Sequence, residues 1–140
     1  MQHIHGYSWL GEKSSFDKES ERRPESPAFA HSELPPIQTG NWLLKPVALI
    51  RGTWEEPKEA GEWLGRQLDE FAPRFAFDRE RDAERLGQLV RAAVERVGWG
   101  GDVSYGHYLR GSVFHSLALV TCRPSRAAQT AEPRCPLGGL

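Results

Sequence analysis

The residue types best suited to chemistry crowd into one stretch of the chain: Asp102, Ser104, Tyr105, His107, Tyr108, Arg110, Ser112 and His115. Two imidazoles on neighbouring strands form the simplest acid and base pair, because each can take or release a proton near neutrality. With Arg110 steadying a phosphate and Tyr105 assisting, the pattern suggests a small metal-independent hydrolase or a ribonuclease-like enzyme. The plainer reading has the histidines hydrogen-bonding or packing within a small sheet. That reading is preferred, because the catalytic one rests on residue types and on an assumed register. A two-residue Arg110-Gly111 turn would set His107 opposite Phe114 and leave His115 one position out of line.

Metal ligation is weaker still on sequence grounds. His107, His115, Cys122 and Cys135 have the right donor atoms for zinc, yet they lack paired short spacings such as C-x2-C or H-x3-H. His3-x-His5 is closely spaced but falls in a stretch expected to be disordered. No metal or other cofactor is therefore expected, and Cys122, at the end of an apolar run, reads as a small buried hydrophobe. Neither a G-x-S-x-G elbow nor a glycine-rich phosphate loop is present, and Gly98-Trp99-Gly100-Gly101 follows a helix and not a strand, as a turn would. Trp54 and Trp99 fall in predicted turns, where a tryptophan either caps a core or stands out as a binding anchor.

Positioning these side chains falls to a few elements. The run Trp42-Leu43-Leu44-Lys45-Pro46-Val47-Ala48-Leu49-Ile50 predicts a buried strand at about 46–51, with Pro46 at its start. Thr53-x-x-Glu56 has the form of a capping box, and Pro57 suits a first helical turn. Ala60, Trp63, Leu64, Leu68 and Phe71 then share one helical face, and Pro73 closes the element. Gly61 and Gly65, four apart, line one side of this helix, where a neighbour can come close. A second helix is predicted over 78–97, with Asp78 as its cap, Gly98 as its stop, and Leu86, Leu89, Val90, Ala93, Val94 and Val97 as its apolar stripe. Val103–Leu109 and Val113–Cys122 read as a hairpin.

The expected fold is α+β: a two-layer sandwich of two amphipathic helices on a three-stranded, mainly antiparallel sheet, in the order β-α-α-β-β. Residues 1–41 are rich in proline and serine and show neither helical nor strand period, which predicts a mostly disordered arm. Residues 42–123 form the single domain, and 124–140 a disordered tail. The second hairpin strand is apolar on both faces, so dimerisation through the uncovered sheet face is a further expectation.

Composition narrows the functional classes. In a chain of 140 residues, 39% are hydrophobic and 26% charged, which fits neither full disorder nor a membrane protein. Residues 41–123 carry twelve basic and twelve acidic side chains, so no segment offers the clustered cations that phosphate backbones require. Nucleic-acid binding is not expected. The longest apolar runs, around Val47–Ile50 and Leu117–Val120, fall far short of the ~20 residues that span a bilayer, and no signal-like segment opens the chain. The sequence thus predicts a cytoplasmic, non-catalytic binding or regulatory module acting through a protein partner or a homodimer, with the His107 and His115 enzyme as the alternative.

Overall fold

A computed structural model of the chain describes residues 3–122 and 135–136. Its centre is a four-stranded antiparallel sheet formed by β1 (His3–Glu12), β2 (Gly52–Trp54), β3 (Val103–Leu109) and β4 (Val113–Cys122), in the order β2-β1-β4-β3. β1 pairs with β4 along its whole length, from His3 opposite Cys122 to Glu12 opposite Val113. The α+β class is as expected. The strand count is corrected from three to four, and the additional strand comes from the stretch read as a disordered arm.

Pro46 explains where the predicted first strand went. It has no N–H for a ladder, and the apolar run around it folds as two 3-10 turns, Thr39–Leu44, which buries Trp42 and Leu43, and Val47–Leu49, which buries none of its residues. The short strand β2 begins only at Gly52.

A single helical turn, α1 (Lys13–Phe16), follows β1, and two longer helices cover one face of the sheet. α2 (Pro57–Phe71) begins with proline in its first turn, but its cap position, Glu56, makes no side-chain capping bond, and Thr53 lies in β2. The predicted capping box is therefore not formed. α3 (Ala83–Gly98) starts at Asp82, whose carboxylate accepts from the Arg85 N–H at 3.0 Å; the predicted cap, Asp78, begins a separate 3-10 turn. The helices pack where Gly61 leaves room: a Cβ there would lie 2.3 Å from Val94 Cγ2. Ala60, Trp63, Leu64, Leu68, Leu86, Ala93 and Val97 join Ile4, Leu117 and Leu119 of the sheet in the larger core. Each fully buried leucine among them contributes roughly 1.5 to 3 kcal/mol.

The other sheet face is covered too, and this corrects the two-layer sandwich. Tyr7 stacks on Trp42 with ring centroids 4.6 Å apart, and both pack with Leu43, Ala118, Val120 and Cys122 in a second core. Lys45 pins this layer. Its ammonium donates to the carbonyls of Phe29 at 2.8 Å and Ser32 at 2.7 Å, and lies 3.9 Å from the centre of the Phe29 ring. Burial lowers its pKa to about 8, so it stays charged at neutrality. The apolar second face of β4, expected to seek a copy of the chain, is thus covered here by the chain's own residues.

Candidate metal centre

The β1–β4 register places His3 directly opposite Cys122, and His5 one step along on the same face. Cys135, from the C-terminal segment, comes to the same corner of the sheet. The result is a set of two imidazoles and two thiols whose ligand atoms all lie within 4.8 Å of one another. Cys135 Sγ is 3.0 Å from His3 Nε2 and 3.5 Å from His5 Nε2. A tetrahedral zinc with bonds of about 2.0 to 2.3 Å sets its ligand atoms roughly 3.3 to 3.8 Å apart, so shifts of about an ångström would close the shell.

Neighbouring groups orient this set. His5 Nδ1 is 2.9 Å from Thr53 Oγ1. With Nδ1–H donating to that hydroxyl, the lone pair of Nε2 faces the sulfurs, which is how protein imidazoles are usually prepared for a metal. Burial lowers the pKa of His3, and it lowers that of His5 to about 4, with the adjacent His3 contributing. Both rings are therefore neutral at pH 7, the form that ligates. The Tyr7 hydroxyl is buried with no hydrogen-bond partner among the described residues. Burial holds this phenol protonated well above its usual range, and the nearby Cys122 and Cys135 add to the effect. A buried phenol O–H beside two sulfurs is a natural donor to a thiolate.

The donor set also selects the chemistry. Four protein ligands of mixed nitrogen and sulfur type are characteristic of closed, structural zinc sites, whereas catalytic zinc keeps a position open for water. His3 and His5 are buried, as is Cys122, and only Cys135 is partly exposed.

The residues singled out from sequence behave otherwise. The hairpin closes through three residues, Arg110, Gly111 and Ser112, with the last two at positive φ. His107 therefore sits directly opposite His115, correcting the register by one residue. The two imidazoles do share a face, but it is the one beneath the helices. His107 stacks on Phe75 with centroids 4.2 Å apart, and His115 on Phe71 at 3.9 Å. They are 5% and 1% exposed, and desolvation lowers both pKa values, that of His115 to about 4. Ser8 Oγ lies 3.1 Å from His115 Nε2, and neither Nδ1 has a partner among the described residues. The Tyr105 hydroxyl donates to the Leu89 carbonyl at 2.7 Å, while the Arg110 side chain is exposed at the turn. These four side chains do not converge on a solvent-facing point, and this geometry lends the hydrolase reading no support. Trp54 is half-buried against Trp63, with centroids 5.3 Å apart, whereas Trp99 is 66% exposed beside Arg96.

Cys122 and Cys135 stood among the zinc candidates, but with the wrong histidines. The short-spaced pair His3-x-His5 completes the set, because its stretch forms β1 and not a disordered arm. Comparison with known proteins gives no match among protein-family models, curated proteins or solved structures.

Proposed function

We propose that the chain is a non-catalytic binding module built around a structural metal centre, in which His3, His5, Cys122 and Cys135 hold one zinc-class ion. The observation that carries this reading is the convergence of four ligand atoms from β1, β4 and the C-terminal segment within 4.8 Å. The hydrogen bond orienting His5 and the unpartnered Tyr7 hydroxyl support it. A bound ion would fasten the C-terminal segment to the sheet, and binding free energy would become folding free energy. Work through a protein partner is inferred from the Trp99 indole, which is 66% exposed and is the contact to test first. Among the described residues no helix is long and apolar enough to cross a membrane. A cytoplasmic setting, which keeps thiols reduced, would preserve both sulfurs as ligands.

The test is titration of the reduced full chain with cobalt(II), followed by displacement with zinc. One equivalent of tetrahedral cobalt with thiolate charge-transfer absorption, bleached by zinc, is the expected result. Stoichiometric binding should also raise Tm by roughly 9 °C at a free zinc concentration a hundred times Kd, and a chelator should reverse it. Absence of binding at neutral pH would overturn the proposal.

A further inference from the structure

The geometry points to a redox-responsive centre, in which a hydroperoxide joins Cys122 to Cys135 and discharges the ion; this rests on the metal-binding reading above. The two sulfurs belong to the same set of atoms within 4.8 Å, so closing a gap of at most about 2.8 Å brings them to the ~2.05 Å of a disulfide. They differ in access. Cys122 is 1% exposed at the end of β4, whereas Cys135 is partly exposed. A small oxidant in water meets Cys135 first and leaves Cys122 shielded behind it, an accessible sulfur backed by a resolving one.

The chemistry balances in two steps. The Cys135 thiolate attacks one oxygen of hydrogen peroxide, breaking the O–O bond to give a sulfenic acid and hydroxide. Cys122 then attacks the Cys135 sulfur, forming the S–S bond and expelling a second hydroxide. Two protons from solvent convert the hydroxides to water, so two thiolates lose two electrons and one peroxide gains them. The shell loses both of its anionic ligands. His3 and His5 remain, side by side on β1 with ring centroids 4.6 Å apart, and two neutral imidazoles hold zinc far more weakly than the full set.

The exchange also changes what is joined to what. The metal-bound form ties together β1, β4 and the C-terminal segment. The disulfide ties only the last two, leaving the start of β1 to its ladder and to the His5–Thr53 contact. A dithiol reductant restores both thiols by exchange and returns the site to its binding form.

The experiment loads the reduced full chain with one equivalent of zinc, adds hydrogen peroxide, and follows zinc with a chromophoric indicator, thiols with a disulfide reagent, and intact mass. The expected result is release of the full equivalent of zinc, loss of both thiols, and a monomer lighter by two hydrogens, all reversed by dithiothreitol. In Cys122→Ser, Cys135 should stop at the sulfenic acid. A chain that takes up zinc, keeps it through peroxide treatment and retains both thiols overturns the switch alone. So does one that oxidises Cys135 beyond the sulfenic state with Cys122 intact. A reduced chain that takes up no zinc overturns the metal reading, and the switch with it.

Discussion

His3 and Cys122 face each other at the first register position of the β1–β4 ladder, an imidazole and a thiol brought together from the two ends of the described sheet. Their meeting depends wholly on the antiparallel pairing of the first strand with the last. A slip of one residue would turn all of β1's side chains over and send His3 and His5 beneath the helices.

Thr53 is the outer partner of that arrangement. Its hydroxyl fixes the His5 ring without touching the place a metal would occupy. Thr53→Val should leave the fold intact and weaken zinc binding by about 10- to 100-fold, measured by competition with a chromophoric chelator. Unchanged affinity would mean that His5 needs no such support.

Acid should destabilise the fold through the buried histidines. His115 titrates at about 4 in the folded chain and near 6.5 unfolded, so below about pH 6.5 the unfolded state takes up a proton that the folded state refuses. The contribution of His115 is complete above that pH and is lost progressively down to about pH 4, a fall of about 3 kcal/mol. His115→Phe, which keeps a ring against Phe71, should flatten this part of the pH dependence in urea unfolding. A variant whose unfolding midpoint declines with acid as steeply as the parent's would refute the assignment.

Two glycines of α2 should respond with opposite signs. A methyl at Gly61 would strike Val94 Cγ2 at 2.3 Å, whereas one at Gly65 would meet Val90 Cγ2 at an ordinary 3.6 Å. Gly61→Ala is expected to destabilise by about 1 to 3 kcal/mol through overpacking. Gly65→Ala should stabilise by up to about 1 kcal/mol through helix propensity. Urea midpoints decide both, and equal effects would show that the α2–α3 contact is looser than described.

Removal of residues 1–12 should abolish cooperative unfolding. β1 lies between β2 and β4, so its loss leaves two sheet fragments and strips Ile4 and Tyr7 from the two cores. A shortened chain that keeps the parent's circular dichroism and a sharp thermal transition would contradict the topology.

What the sequence disclosed follows from which faces are wet. α2 and α3 each present one apolar stripe and one polar face, so their periodicity was plain, and Ala60, Trp63, Leu64 and Leu68 are buried as the spacing required. β1 has no such contrast. His3, Ile4, His5, Gly6 and Tyr7 are all buried, which erases the alternation of a half-exposed strand, and the histidines make the stretch look polar. The run after Trp42 erred the other way, because apolar content without period suits an irregular covering layer as well as a strand. The hairpin register failed by the one residue, Ser112, that the three-residue turn absorbs. The metal centre is hidden for a combined reason: half of its ligands lie on β1, in the stretch predicted to be a disordered arm, and its fourth, Cys135, lies in the tail predicted to be disordered.

The pairing of β1 with β4 also bears on how fast the sheet can form. These strands are the earliest and the latest among the described residues, and their ladder spans ten residue pairs with residues 13–112 looped between them. High contact order of this kind slows folding, since a long loop must close before its ends gain anything from meeting. During synthesis the hydrogen-bonding edge of β1 that β4 will cover waits until β4 itself has been made.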